Sequence, residues 1–499
     1  MVADPSGGAV AGAKVIATNT GTGVRKESLS NAEGIYVFPA LQPGPYRLEA
    51  ESAGFRRTVA EGIRLEVGAR VLFNLKLEIG ATTEAVEVAA DAEGPLGYAT
   101  ASVGGMLSGQ KVLDLPLPGR DALGLVLTQA GLVGDNFGGS RTAALNITMD
   151  GLNIQDQRNH QGLFAPVFTS VDRVSEFRVI TSPADAEFGR GSGQVQMITR
   201  SGTNEYHGSL FHFHRNTVLN ANTWFNNQRG TDRVTGEPIS PRNNLIRNQF
   251  GGRIGGPVQI PKIYNGKNKT FFHFLYDAQR IRQRSAVTQL VYTETARRGI
   301  FRFFPGVRNG NAESLSPSVD LSGNPVRNPR ATGDLQTVSL YNLDPNRAGP
   351  DPSGLVPRLL GVAPLPNNFR TGDGLNTAGF TWQRRSTDDF NVYNFRVDHN
   401  LAAHRITYSY NAEQEFEDNT RYESPFPASP GGNITRRDRF HSLAVLSTIR
   451  PNLLNEFRAG VLRPDYRARA PWELEQFSSF FPRATGQPFV PVFSANISD

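Results

Sequence analysis

Beyond residue 205 the chain is a succession of extended segments in which apolar and polar side chains alternate, joined by connections of very unequal length. The clearest are Tyr393, Phe395 and Val397 alternating with Asn394, Arg396 and Asp398, and Ile406, Tyr408 and Tyr410 alternating with Thr407 and Ser409. A period of two marks a strand with its two faces in different surroundings. Segments 207–214, 248–258, 270–280, 439–447 and 455–463 complete a set of about seven strands. The connections run roughly 30 residues, about 12, more than about 100, about four, about 25 and then a few around Pro451. Long and short loops alternate in this way when strands cross a membrane as a barrel, with brief turns on one side and extended loops on the other. A soluble sandwich has no reason to alternate so.

Hydropathy agrees. No run approaches the roughly 18 continuous apolar residues of a spanning helix, whereas alternating barrel strands never produce such a peak. The 51 glycines, 32 prolines and 31 phenylalanines fit a turn-rich, aromatic β protein. With 52 basic and 46 acidic residues the formal charge is only +6, without the concentrated basic patch that a nucleic-acid partner calls for. The absence of cysteine removes disulfides and thiolate metal sites from consideration. The start, Met1-Val2-Ala3-Asp4-Pro5, has neither the charged nor the apolar region of a signal peptide. This is read as amino-terminal truncation. Seven strands cannot close a barrel that requires an even number, so the wall is expected to be incomplete.

Ahead of the wall the chain divides into three. Residues 1–80 carry short strand candidates, 13–18, 35–38, 46–50 and 71–77, separated by turns at Asn31-Ala32-Glu33-Gly34 and Gln42-Pro43-Gly44-Pro45. Such spacing predicts a small antiparallel sandwich. Residues 81–110 are small and polar, a linker. Residues 111–204 form a mixed α/β unit. A short helix over 121–129 is capped by Asp121, with Gly131 past its end. A strand over 146–150 runs into an Asp-Gly turn, and a helix over 171–177 precedes a strand over 178–181. A glycine-rich turn (Gly189, Gly191, Gly193) then feeds a strand over 194–200, and Ser201-Gly202-Thr203-Asn204 turns the chain into the wall, residues 205–499.

The segments LPLPGR, NITMDGLNIQD, AEFGRGSG and ITRSGTN, in that order, resemble the plug of TonB-dependent outer-membrane receptors, in particular the Oar-like branch. NQFGGRIGGPVQIPKIYNGKNKTFFHFLY and NFRVDHNLAAHRITYSY are similar to hairpins of their barrels, and VYTETARRGIF and LLGVAPLPNNF to their loops. NAEGIYVFPALQPGPYRLEAESAGF is similar to the carboxypeptidase regulatory-like domain, a transthyretin-like sandwich. The resemblance implies a mainly β protein: sandwich, mixed α/β plug, and part of an antiparallel barrel that in these transporters has about 22 strands. It also implies location in the bacterial outer membrane and uptake of an unidentified solute through the plugged barrel. A TonB-type energy-transducing protein would be the partner, with outer-membrane lipid and lipopolysaccharide around the wall. The alternative from another class is a surface adhesion or interaction protein that moves no solute.

Several residues are candidates for those roles. Thr82–Val88, TTEAVEV, resembles a loose TonB box, with Glu84, Val86 and Val88 offering an extended edge to the partner. The other reading makes it the last strand of the sandwich. Gly189, Gly191 and Gly193 allow close packing of the plug turn, and Arg190 is placed to bind wall carboxylates through two hydrogen bonds. Arg280, Arg282, Arg284, Arg297, Arg298 and Arg302 make the start of the longest loop basic. Of these, Arg297, Arg298 and Arg302 are the candidates for drawing in an anionic solute or lipopolysaccharide phosphate, unless they only form a solvated face. His207, His212 and His214 lack the convergent carboxylates of a metal site and read as polar lining of a barrel interior. No G-x-S-x-G elbow or other nucleophile setting points to an enzyme, and no cofactor is implied.

Overall fold

In the computed structural model of the 499-residue chain, the described residues are 1–39, 41–66, 71–80, 85–89, 103–117, 119–133, 136–137, 145–155, 163–182, 193–228, 230–231, 236–342, 354–418, 431–450 and 453–474. The amino-terminal unit is a five-stranded sheet of β1 (Lys14–Asn19), β2 (Arg25–Leu29), β3 (Gly44–Glu51), β4 (Arg57–Leu65) and β5 (Ala85–Ala89), ordered β2-β1-β3-β4-β5. β5 joins the edge in parallel with β4. Burial alternates along β1, and Val15, Ala17, Tyr46, Leu48 and Ala50 pack on Val2, Leu75 and Leu77. The strand expected over 35–38 is irregular instead, and that over 71–77 is reduced to Leu75–Lys76, paired with Val2–Ala3. Pro39, which lacks an N–H, follows the first directly. There Tyr36 packs by its ring against Phe38 and donates its hydroxyl to the Phe73 carbonyl at 2.7 Å.

A second five-stranded sheet follows: β6 (Val103–Ser108), β7 (Leu145–Met149), β8 (Leu152–Asn153), β9 (Val174–Ser182) and β10 (Gly193–Thr199), ordered β8-β7-β10-β9-β6. The expected helix after Asp121 is a 3₁₀ helix, Ala122–Thr128, and the Asp121 carboxylate accepts from the Leu123 N–H at 3.2 Å. The Asp-Gly turn is also present: Asp150 and Gly151 both take positive φ, 51° and 78°, and fold β8 back on β7. The helix expected over 171–177 is not. Residues 171–173 are a turn, and β9 begins at Val174 with neighbours on both sides, β10 and β6. Apolar Val171, Val174 and Phe177 recur every third residue, a spacing that suits a helix, but pairing along two edges decides for the strand.

The third sheet, of ten strands, is the wall; its seven long strands are β11 (His207–Asn216), β12 (Asn244–Pro257), β13 (Thr270–Tyr292), β14 (Thr377–Asn400), β15 (His404–Asp418), β16 (Arg439–Arg450) and β17 (Leu453–Arg463), and the short strands Asn368–Gly372, Asn433–Arg436 and Tyr466–Arg469 extend it. Each long strand is antiparallel to the next in chain order. Among the described residues β11 and β17 do not pair, so the sheet stays open. Long and short connections alternate as expected. The longest, 293–376, is shorter than the sequence suggested because β13 and β14 continue past the apolar stretch. Arg280, Arg282 and Arg284 therefore lie on β13, where Arg282 pairs with Asp389 at 2.6 Å across the ladder.

The polarity of the wall is inverted relative to a soluble sheet. Ile254, Phe274 and Phe395 stand in register on the outer face, and the latter two are 38% and 39% exposed. Gln249, Asp277, Asn394, Asn411 and Glu413 are buried on the inner face. An apolar outside around a polar inside is the pattern of a lipid-facing barrel. The second sheet packs on that inner face, and Phe440 of β16 reaches into its core beside Ile147, Met149, Phe177 and Met197. Strand parity also corrects the histidines. Phe211 and Phe213 face inward under the Arg120 guanidinium, at 5.2 and 4.1 Å. His212 and His214 share the outer face with the exposed Leu210, and only His207 has the inward parity.

Phe440, 2% exposed, belongs to the wall but fills the inner unit's core. Phe440→Ala is expected to cost about 3–5 kcal/mol of attachment between the two. The measurement is the urea concentration at which residues 103–200 become protease-accessible in the detergent-solubilised protein.

Candidate functional site

The inner sheet is fastened to the wall by a buried ionic seam. β14 carries Arg396 and Asp398 two residues apart, hence on one face, and the short connection to β15 brings Arg405 and Thr407 alongside. Arg396 donates Nε to Asp398 Oδ2 at 2.8 Å and Nη2 to Asp398 Oδ1 at 3.0 Å. Asp398 accepts further bonds from Arg405 Nη2 at 2.7 Å, Thr407 Oγ1 at 2.8 Å and Ser201 Oγ at 2.7 Å. The Arg396 Nη1 crosses to the inner unit, donating to the Thr199 carbonyl at 2.9 Å and its hydroxyl at 2.6 Å, with Asp150 Oδ1 at 3.3 Å. The turn conformation of Asp150 aims its carboxylate at Thr199, whose N–H and hydroxyl it accepts at 3.0 and 2.8 Å. Arg396 and Asp398 are 5% and 1% exposed. Charges so buried are tolerated only when paired and fully hydrogen-bonded, and these are.

Further contacts repeat the theme around the seam. Asp277 accepts from Ser170 Oγ at 2.8 Å and Gln249 Nε2 at 3.1 Å. Glu413 takes the Phe168 N–H at 2.8 Å, Arg173 Nη1 donates to Asn411 Oδ1 at 2.9 Å, and Arg458 Nη1 donates to the Asp150 carbonyl at 2.6 Å. Complete burial pushes the Arg173 guanidinium down to about 10, against the opposing fields of Asp150, Asp121 and Glu413. Burial likewise holds the Asp121 carboxyl above its ordinary range in spite of the Thr169 hydroxyl bonded to it. The amino-terminal unit also touches the turn that leads into the wall, and the wall itself. Gly21 accepts from the Asn204 N–H at 2.9 Å, Lys26 Nζ lies 3.4 Å from the Ala402 carbonyl, and the Gln42 amide rests against Arg405. Such a set of fixed charges can hold one surface against another. Among the described residues no group of three His, Cys, Asp or Glu could hold a metal ion.

The sequence-derived candidates fall unevenly on this geometry. Glu84, Gly189, Arg190 and Gly191 lie outside the described residues, and Gly193 starts β10, buried and paired with Leu145. Val86 and Val88 sit on β5, in register with Thr58 and Ala60. Arg297 donates to the Tyr292 and Pro364 carbonyls, Arg302 to the Leu375 carbonyl, and Arg298 pairs with Glu294 at the surface. Partial burial lowers the Arg297 and Arg302 guanidiniums. Among the described residues, arginines of the wall bind carboxylates of the inner unit, with Arg396 reaching Asp150 and Arg253 standing near Asp172. Sequence reading saw Arg396 and Asp398 only as the polar half of an alternating strand. The available signal was an Arg-x-Asp on a polar strand face, facing a second arginine one short turn later.

An open antiparallel wall, apolar outside and polar inside, with a folded unit bonded to its inner face, defines an outer-membrane β-barrel protein. The chain belongs to the outer membrane beta barrel domain family, whose model matches residues 198–495, while the carboxypeptidase regulatory-like domain model matches 1–78. It is 30% identical over 270 residues to the TonB-dependent transporter Oar of Myxococcus xanthus, covering 50% of this chain and 24% of that one. The chain thus spans about a quarter of the length of that relative. Among solved structures it is similar to the outer membrane transporter YddB from Escherichia coli (9% identity, 72% of this chain and 38% of that one, TM-score 0.39). It is also similar to the siderophore receptor PirA from Pseudomonas aeruginosa (12%, 74% and 56%, TM-score 0.27). The chain is Oar-like and of the TonB-dependent receptor type, and its place is the outer membrane. Its relatives are transporters and receptors, not enzymes.

Replacing Arg396 by Gln strands Asp398 with one guanidinium fewer, an expected loss of about 3–5 kcal/mol in seam stability. In a double-mutant cycle with Asp150→Asn the two losses are expected to fall short of additivity by about 0.5–3 kcal/mol. Both are read from urea titration of the detergent-solubilised protein.

Proposed function

We propose that the protein takes a solute across the outer membrane by TonB-dependent transport. In this reading residues 111–204 are the plug, 205–499 contribute barrel wall, 1–80 are a periplasmic regulatory-like sandwich and 81–110 lead from one to the other. The observation that carries it is the nature of the seam: hydrogen bonds and ion pairs join the inner sheet to a polar wall. Such contacts hold the resting plug, yet when it shifts their groups can be rehydrated, and the net cost per hydrogen bond is small, about 0.5–1.5 kcal/mol.

The connectivity supports a route for force. β5 is an edge strand, so its outer side can accept a strand from a TonB-type protein, with Glu84, Val86 and Val88 in or beside the contact. The chain next continues into β6, the edge strand of the inner sheet. Tension applied there peels an edge strand one hydrogen bond at a time, an easier event than shearing a central one. On the external side loop 293–376 would meet the solute first, with Arg298 an exposed cation toward an anionic solute or lipopolysaccharide.

The test exploits the absence of native cysteine. Val86→Cys in the full-length receptor, in respiring cells with a cysteine-bearing TonB-type protein, is expected to give a disulfide-linked adduct. Leu29→Cys on the opposite edge strand β2 is expected to give none. Absence of the Val86 adduct at full expression overturns the transport reading in favour of a non-transporting surface interaction protein.

A further inference from the structure

A polar pocket of about 300 Å³ lies at the foot of the seam, between the end of the inner sheet and the start of the wall. Its principal lining is Ser175, Arg200, Ser201, Thr203, Arg253 and His273. It exists because the Ser201-Gly202-Thr203 turn lies directly on the wall. A Cβ at Gly202 would collide with the carbonyls of Phe272 and Gly256, and one at Gly255 would stand 3.5 Å from the Gly202 Cα. Glycine at 202 thus fixes how far the turn stands from the wall and so the shape of the pocket.

The charges inside do not balance. Arg200 gives Nη2 to the Gly109 carbonyl at 3.2 Å, its Nε is buried without a partner, and it makes no ion pair among the described residues. Arg253 donates Nε to Ser209 Oγ at 2.9 Å, and the same Nε stands 3.5 Å from Asp172, a carboxylate already bonded to Arg120 at 2.5 Å. One carboxylate therefore serves three guanidiniums. His273 adds a buried Nε2 with no partner, its other ring nitrogen lying 3.2 Å from Asn394 Oδ1. The remaining polar groups do not supply the missing negative charge. Ser201 Oγ goes to Asp398, Ser175 Oγ to the Ile198 carbonyl, Thr203 Oγ1 to the Glu205 carbonyl, and the exposed Glu205 is 3.5 Å from His207 at the rim. Desolvation, with the like charge of Arg253 added, brings the Arg200 guanidinium down to about 10.

We propose that this pocket is a binding site for a single oxyanion group, a phosphate or a carboxylate, held between the guanidiniums of Arg200 and Arg253. Two guanidiniums converging on a small cavity suit an anion with several acceptor oxygens, which each can meet with two N–H groups. Bound there, the anion supplies the counter-charge that Arg200 lacks and that Arg253 shares with Arg120, and ties plug to wall at the foot of the seam. The site is independent of the transport reading, because it is read as binding and not as uptake.

The test is isothermal titration of the full-length, detergent-solubilised protein with inorganic phosphate and, separately, acetate, in a buffer free of other oxyanions. Saturable binding is expected, weakened about tenfold or more by Arg200→Gln and by Arg253→Gln, since each removes a charge-assisted hydrogen bond. Arg200→Lys keeps the charge and is expected to lose less than Arg200→Gln. Tighter binding of phosphate assigns the site to phosphoryl groups, and tighter binding of acetate assigns it to carboxylates. Either supports the proposal. No saturable binding of either anion, or affinity unchanged in the Gln variants, overturns it. Should Arg200→Gln not fold, the wall variant Arg253→Gln decides alone, with protease resistance of residues 103–200 as its folding control.

Discussion

The paired charges of Arg396 and Asp398 express the constraint from which the rest of the structure follows. A wall that turns Ile254, Phe274 and Phe395 outward must turn their neighbours inward, and those neighbours are polar. Buried polar groups need partners. Some partners come from the wall itself, such as Arg405 and Thr407 for Asp398. Others come from the inner unit, such as Thr199 for Arg396 and Ser170 for Asp277. The inner sheet therefore completes the wall chemically as well as filling the space it encloses.

The same constraint explains why the inner unit has two kinds of surface. Its own core is apolar and includes Ile147, Met149, Phe177 and Met197. Its margin toward the wall is a set of hydroxyls, carbonyls and charges, interrupted by Phe440, which locks the two together through packing. The amino-terminal sheet stands apart in its core but contacts Asn204 of the turn into the wall through Gly21, a short turn of the wall through Lys26, and Arg405 through Gln42. In this way Arg405 joins the amino-terminal sheet to Asp398, which Ser201 of the inner unit also bonds.

Much of this could be read from the residues. The seven wall strands, the alternation of their connections, the Asp150-Gly151 turn and the cap at Asp121 depend on local pattern, and each is present. The readings that missed depend on what lies beside a segment. Residues 171–177 resemble a helix until β10 and β6 are placed on either side of β9. Residues 35–38 resemble a strand, but among the described residues no strand pairs with them. Arg280, Arg282 and Arg284 resemble a loop because they are charged, yet cross-strand contacts such as Arg282 with Asp389 keep them in the ladder.

By itself the sequence determined the period of the wall strands, the order of long and short connections and the placing of the tight turns, since these follow from steric and solvation preferences acting over a few residues. Only the tertiary structure decided which face of each strand looks inward, as with the reversal of Phe211 and His212, and which distant charges meet. Arg396 and Asp150 are far apart along the chain and share no local signal. Their meeting depends on strand register and on the shape of the space the wall leaves, and both are properties of the assembled sheets.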